Sequence, residues 1–339
     1  MQNRIYIYPL TSKFEKLGLY NPYINDLIDS FSRYFKFVNK DKPSKYGIFD
    51  LLKFLKRTDY IFFNWIEKLP GNKGGIIQTL FLFFLFPVFR LFNIKVVWTM
   101  HNKLTHSTDY LFLKKAIFKT MLKKADYIFT HSSDGINFGT GLVPDSRKKI
   151  HYLPHPVKDR RRKNETVYIY DILIWGTISP YKGIDNFLKF LFENKLQHKY
   201  KILIIGKFTS ENYSEYLSGY SNENILIKDE FIENDILIEL IEQSKIVLFT
   251  YSHSSILSSG VLMDSLGYGA NIVGPDVGAF ADLAKEGIMQ TFSGFEELVS
   301  VIDKQISRED KNSNEEKINK FLTENSWEKY AKKVYKIIG

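Results

Sequence analysis

Three junctions in the second half of the chain carry residues suited to holding an anion. The apolar run ending at Trp175 leads into Gly176-Thr177-Ile178-Ser179-Pro180-Tyr181-Lys182-Gly183, after which a helical pattern begins. A glycine directly after a strand lets a ligand approach the backbone closely. A lysine near a helix start adds charge where free N–H groups already favour an anion. That is the chemistry of a diphosphate clamp with Lys182 as its point charge, although an ordinary turn with a solvated lysine has the same residues. The second junction runs from Thr250-Tyr251 to Ile256-Leu257-Ser258-Ser259-Gly260. There hydroxyls and the first N–H groups of a helix can converge on one anion, and Ser259 also suits an N-cap. Asp264 follows one turn later on the face of Gly260, where a carboxylate can accept from ribose hydroxyls. Gly267-Tyr268-Gly269 closes the helix, which C-cap chemistry explains without a ligand. The order of clamp, donor loop, acidic helix and glycine turn is the informative part.

In the first half, Val96–Asn102 reads as a strand ending in His101, whose side chain should point into a ligand cleft. Asn21, Asn102 and His106 fall in loops expected to line the acceptor side of that cleft, Asn21 equally serving as a helix cap. His131, His151 and His155 lack acidic partners at ligand spacing, so no metal site is expected. They read as structural, with His155 a hinge residue beside Pro154.

The elements that must position these residues alternate between strand and helix. Strands are expected at Arg4–Tyr8, Tyr60–Phe63, Lys95–Thr99, Tyr127–Thr130 and Ile150–Leu153, then again at Ile169–Trp175, Lys201–Ile205, Ile225–Ile227, Ile246–Thr250 and Ala270–Val273. Helical spacing fills the gaps, for example over Asn21–Phe35, Gly75–Leu91 and Tyr110–Lys124. Such alternation predicts an α/β protein with two doubly wound, Rossmann-like domains facing across a cleft. The expected boundaries are 1–157, a basic linker 158–166, 167–323, and a terminal helical segment 324–339.

Composition narrows the function classes. The 339 residues include no cysteine, 44% hydrophobic and 25% charged residues, which excludes disulfide scaffolds, thiolate metal sites and disordered chains. The net charge of +9 is uneven: residues 1–160 hold 26 Lys and Arg against 12 Asp and Glu, residues 161–339 hold 21 against 26. An anionic partner is therefore expected for the first half. The apolar stretch Ile76–Phe92 is interrupted by Gln78, Thr79, Pro87 and Arg90 and is too short to span a bilayer, so it reads as a buried helix ahead of a helix lying on a membrane surface. The opening Met1–Leu10 shows no secretory pattern.

The order of the three junctions resembles the carboxy-terminal half of GT-B glycosyltransferases, nearest to glycosyltransferase family 4. Gly176, Ile178, Lys182 and Gly183 match that family's diphosphate segment, with Thr177 standing where an arginine is expected. Asp264 matches the second of two glutamates eight positions apart, a ribose ligand in the family, while Ile256 replaces the first. Ser258, Ser259 and Gly260 take over the glycine-rich part, as in a subgroup of bacterial surface-polysaccharide transferases. By the same resemblance Phe231 and Ile232 contact the nucleobase, Tyr251 joins the donor site, and His101 contacts the donor sugar or its phosphate. The helix opened by Ser326-Trp327-Glu328 crosses back onto the first domain.

The resemblance implies hexose transfer from a nucleotide sugar, UDP first and GDP second, to a glycan hydroxyl in bacterial polysaccharide synthesis. His101, Lys182 and Asp264 are the expected catalytic set, with no cofactor and no metal. Positive side chains and helix N-termini would stabilise the leaving diphosphate. Retention would need no protein base, whereas inversion would need a carboxylate such as Glu15 or Asp109. A polyprenyl-diphosphate-linked acceptor fits the basic first half, with Lys114, Lys115, Lys119, Lys123, Lys124 and Phe81–Phe92 on an anionic membrane. The expected location is then cytoplasmic, peripheral to the inner face of the cell membrane. A sugar-nucleotide epimerase of the same fold is the rival enzyme, and a nucleic-acid-binding protein the rival from another class. The aromatics sit in strand and helix patterns rather than among the basic residues, so no nucleic-acid partner is expected.

Overall fold

The computed structural model describes residues 2–10, 22–103, 109–162, 167–251, 256–307 and 314–339. The chain divides into two units, Met1–Pro156 with Asn325–Gly339, and Val157–Glu324. Each is built on a six-stranded parallel sheet with helices on both faces, the architecture that strand–helix alternation predicts.

The first unit comprises β1 (Arg4–Tyr8), α1 (Tyr23–Phe31), β2 (Lys36–Phe37), a run of 3-10 turns over Gly47–Arg57, β3 (Tyr60–Asn64), a short 3-10 segment Ile66–Gly71, α2 (Gly75–Leu91), β4 (Lys95–Met100), α3 (Leu111–Lys124), β5 (Tyr127–Thr130), α4 (Ser133–Leu142) and β6 (Ile150–Tyr152). Strand order is β2-β1-β3-β4-β5-β6, in a register that sets Ile7 opposite Phe62, Phe62 opposite Val97 and Thr99 opposite Phe129. Because both faces are covered, the strands are almost continuously apolar rather than alternating. On one face Ile5, Ile7, Phe62, Val97 and Phe129 pack against Tyr23, Leu27 and Phe31 of α1 and against the last helix of the chain, Trp327–Ile338. On the other, Tyr6 meets Phe54, Phe63 meets Phe89 and Trp98 meets Phe118 at ring separations of 5.3, 6.5 and 4.9 Å.

The second unit comprises β7 (Tyr170–Trp175), α5 (Ile184–Glu193), β8 (Ile202–Ile205), α6 (Glu211–Ser218), β9 (Ile225–Lys228), α7 (Asn234–Glu242), β10 (Ser244–Leu248), α8 (Gly260–Gly267), β11 (Ile272–Pro275), α9 (Gly278–Lys285), β12 (Gln290–Phe292), α10 (Phe295–Ile306) and α11 (Glu315–Glu324). The terminal helix Trp327–Ile338, α12, belongs to the first unit. Strand order is β12-β11-β10-β7-β8-β9. Connections from β7 run outward to β8, those from β10 outward to β11. Right-handed crossovers therefore place α5 and α6 on one face and α7, α8 and α9 on the other. The two cores on either side of the sheet follow that division.

Several expectations change. The edge strands β2 and β12, of two and three residues, are too short for any apolar alternation to announce them. α1 is shorter than Asn21–Phe35 because the N–H groups of Tyr34 and Phe35 both turn back to the Phe31 carbonyl. Residues 158–162, read as linker, lie along the second unit: Arg160 N–H donates to the Gly267 carbonyl at 2.7 Å, and Arg162 pairs with Asp235. The helix read as buried is only half so, since Ile77, Leu80, Phe84 and Leu91 of α2 face outward. Among the described residues no helix is long and apolar enough to cross a membrane.

Candidate functional site

In the second sheet the chain leaves β7 in one direction and β10 in the other, although the two strands are neighbours. That divergence opens a crevice at their carboxyl ends, the place where doubly wound sheets take ligands. Both expected donor loops begin there. Gly176 follows β7 with φ +94°, a left-handed conformation that glycine adopts without strain, and a Cβ on it would stand 3.3 Å from Val261 and 3.4 Å from Lys182 Nζ. Gly206, at the end of β8, lets the Gly176 carbonyl pass where a side chain would collide with it.

Lys182 lies in the 3-10 turn Pro180–Lys182, two residues before the start of α5. It is buried, at 5% exposure, rather than solvated. Its Nζ donates to the Trp175 carbonyl at 3.1 Å and lies 6.0 Å from the centre of the Tyr251 ring. The Thr250 hydroxyl donates to the Lys182 carbonyl at 2.8 Å and ties the two loops together. Among the described residues no carboxylate stands beside it, and burial pushes the Lys182 ammonium down to about 7.

Tyr251 is buried and stacks on Tyr181, ring centres 5.7 Å apart, and its hydroxyl is 3.3 Å from Ser259 Oγ. Ser259 caps α8, accepting from Leu262 N–H, so its hydroxyl serves the helix as well as the crevice. Among the described residues Ser258 Oγ is buried with no hydrogen-bond partner, and Gly260 has open space around it. Thr177 is exposed on the loop. Ile256 is packed in the apolar core, which explains why that position holds no carboxylate. Trp175 Nε1 donates to Ser265 at 2.9 Å and fixes β7 to α8.

Asp264 stands on α8 one turn past Val261. Its Oδ1 accepts from Arg160 Nη1 at 3.0 Å, and the same nitrogen is 3.2 Å from the Tyr268 hydroxyl. The Arg160 guanidinium also lies over the Tyr268 ring. Arg160 thus brings a charge to the α8 face that the loop, with Thr177, does not carry. Phe231 is exposed after β9, and Ile232 packs on the core of the unit.

In the first unit the strand ends form a second polar row. Asn64 ends β3, His101 follows β4, His131 follows β5, and His155 lies beyond β6. Parallel strands carry their carboxyl ends to one edge of the sheet, so residues far apart in sequence line up. His101 Nε2 donates to Asn64 Oδ1 at 3.1 Å, and its ring stacks 4.4 Å from that of Trp65, which holds a left-handed backbone at φ 47°. His131 donates from Nδ1 to the Leu153 carbonyl and accepts at Nε2 from Tyr23 at 3.1 Å. The Tyr23 hydroxyl also meets Thr99 and Tyr330. Burial keeps all three imidazoles neutral, helped at His101 and His131 by repulsion from their neighbours: His101 lies well below its usual value, His131 down to about 3 and His155 to about 4. Asn102 is half-buried beside His101, and Asp109 is exposed ahead of α3. Asn21, His106 and Glu15 lie outside the described residues. Among the described residues no three His, Asp or Glu side chains come together as a metal would require.

Glu67, on the 3-10 segment after β3, is buried with neither oxygen hydrogen-bonded to another side chain, and burial lifts its carboxyl to about 7. The folded chain therefore holds a proton that the unfolded chain has lost. Stability falls as pH rises from about 4.5 to about 7 and stays reduced above that. Glu67→Gln should flatten this fall and give the higher melting temperature at pH 8. Melting curves against pH for the two proteins check it, and parallel curves would show that Glu67 is solvated.

No protein-family model and no curated protein matches the chain. Solved structures do. HepE of Anabaena in complex with UDP matches with a TM-score of 0.63 and 11% identity, over 99% of this chain and 95% of that one. A glycosyltransferase from Rickettsia africae matches with a TM-score of 0.63 and 13% identity, over 99% and 97%. The chain has the GT-B fold. The N-terminal domain of Candida albicans trehalose-6-phosphate phosphatase also matches, with a TM-score of 0.60, 12% identity and coverage of 85% and 72%. At such identities the likeness is one of fold, and the GT-B fold leaves the chemistry to the residues described above.

Sequence reasoning missed several members of these two clusters. Arg160 was hidden in a basic run, and Tyr181 between a proline and a lysine. Asn64, His131 and His155 carried a usable signal, since each follows an apolar strand pattern at its carboxyl end.

Proposed function

We propose that the protein is a glycosyltransferase that moves a hexose from a nucleotide sugar, UDP-linked by preference, to a hydroxyl of a glycan acceptor. The observation that carries this reading is Lys182, a buried cation with no carboxylate beside it among the described residues, at the β7–β10 switch point next to the capped N-terminus of α8. A diphosphate supplies the missing negative charge, and the α8 N–H groups and the Ser258 hydroxyl supply donors. Asp264, oriented by Arg160, accepts from the ribose. HepE has been crystallised with UDP, with UDP-glucose and with UDP and glucose, which supports a UDP-sugar donor. In this reading His101 is a neutral hydrogen-bonding group for a sugar hydroxyl or phosphate, and charge stabilisation needs no metal. Retention is favoured, because among the described residues the strand-end row carries an amide and imidazoles that burial makes weak bases. Inversion has one residue behind it, Glu67, whose carboxyl is poised near neutrality.

Calorimetric titration with UDP, GDP and ADP in metal-free buffer tests the donor site. We expect micromolar binding of UDP, and Asp264→Ala to weaken it roughly tenfold through loss of the ribose contact. Failure of all three nucleotides to bind would overturn the reading.

A further inference from the structure

Asn64 and His101 are 37 positions apart in the chain and meet through the sheet. In the parallel register Asn64 is opposite Thr99, and His101 follows two residues later, which puts it on the same side of the sheet. Trp65 stacks on the imidazole, and the Tyr23 ring stands edge-on to it at 83°, centres 4.9 Å apart. These contacts hold the plane of the ring but do not tell its nitrogens from its carbons. The hydrogen bond to Asn64 does. An amide oxygen only accepts, so the 3.1 Å contact requires the proton on Nε2. Burial, with His131, His155 and Lys68 nearby, keeps the ring neutral, so it has one proton to place. Nδ1 is left with a lone pair and, among the described residues, with no hydrogen-bond partner. The other two imidazoles of the row give their proton to backbone carbonyls, His131 to Leu153 and His155 to Pro156 at 2.8 Å. Of the three, only His101 has its tautomer set by a side chain. Asn64 is fully buried at the end of β3, and its Nδ2 has no partner among the described residues, so the bond to the ring is the one its side chain makes.

We infer that Asn64 is a positioning residue: it takes the Nε2 proton and so fixes His101 in the tautomer whose Nδ1 accepts, which makes this ring a reader of hydroxyl groups and not of phosphate oxygens. A hydroxyl donates to the lone pair, whereas a phosphate oxygen at the same place sets a second lone pair against it. With the amide turned over, Asn64 would donate to Nε2, the proton would sit on Nδ1, and the preference would reverse. One buried amide therefore decides which part of a nucleotide sugar His101 can serve. The hydroxyl rests on the donor reading above; the tautomer does not depend on it.

Long-range proton–nitrogen correlation spectra of the isotope-labelled full chain read the tautomer directly, with the His101 signals identified by their loss in His101→Phe. The wild type should show a protonated Nε2 and a bare Nδ1. Asn64→Leu, close in volume and without an acceptor, should move both nitrogens toward the averaged positions of exchanging tautomers. Calorimetry on the same proteins then reads the ligand group. Asn64→Leu should weaken UDP-glucose binding roughly tenfold and leave UDP binding unchanged, since only the sugar carries the hydroxyl. A proton on Nδ1 in the wild type would overturn the inference without any variant, which keeps it testable should Asn64→Leu fold poorly. A wild-type pattern kept by Asn64→Leu would also overturn it. Equal loss of UDP and UDP-glucose would turn His101 to the phosphate, and unchanged affinity for both would remove Asn64 from donor binding. Failure of both nucleotides to bind the wild type would overturn the donor reading, and the hydroxyl with it, while the tautomer spectra would still decide the role of Asn64.

Discussion

Lys182→Met should weaken UDP binding on the order of 100-fold and make the protein more stable. The ammonium is buried and donates to the Trp175 carbonyl, and its pKa falls from 10.5 to about 7. Between those values the unfolded chain binds more protons at this residue than the folded chain, so stability rises with pH across that window. At and below pH 7 the cost of burying the charge is present in full. A methionine fills the space without the charge, and the gain should be roughly 1–4 kcal/mol. The same charge is what a diphosphate recognises. Losing a charge-assisted contact of about 3 kcal/mol lowers UDP affinity on the order of 100-fold. Binding the anion favours protonated Lys182, so wild-type affinity should decline above about pH 7, by at most about tenfold per pH unit. The variant should lack this decline. Calorimetry between pH 6.5 and 9, with melting curves on both proteins, checks each part. A methionine variant that binds UDP as the wild type does would place the anion elsewhere.

Removing residues 325–339 should unfold the first unit while leaving the second intact. Trp327, Tyr330, Ala331, Val334 and Ile338 of α12 are buried in the same core as Ile7, Phe31 and Val97. The Tyr60 hydroxyl donates to the Ile338 carbonyl, and Tyr23 packs edge-on against Trp327 at 5.2 Å. Four large side chains at about 1.5–3 kcal/mol each give roughly 6–12 kcal/mol. That is the size of a whole domain's stability, about 5–15 kcal/mol. Hydrogen exchange should therefore show protection lost across 1–156 and kept across 157–324. The milder Trp327→Ala should cost about 3–5 kcal/mol. Unchanged protection in the first unit of the truncated chain would show that α12 adds little to that core.

Much of the architecture can be read locally. Near-continuous apolar runs such as Ile202–Ile205 announce buried parallel strands, since both of their faces are covered. Ser259 and Ser326 announce helix starts, since a hydroxyl there satisfies an N–H group with no helical partner. The short edge strands are silent because two or three residues carry no period.

The sites divide along the same line. Sequence by itself determined that Gly176, Lys182, Ser259 and Asp264 stand at strand–helix junctions and that His101 ends a strand, because these are consequences of neighbours in the chain. Only the tertiary structure decided that Lys182 is buried, since its cover is Tyr251, 69 positions away and stacked on Tyr181. Only it decided that Arg160 reaches Asp264, that Asn64, His101 and His131 form one row, and that α2 shows an apolar side outward. Each of these depends on strand order and on which face a crossover helix takes. Those follow from the packing of whole elements, and no local pattern of residues records them.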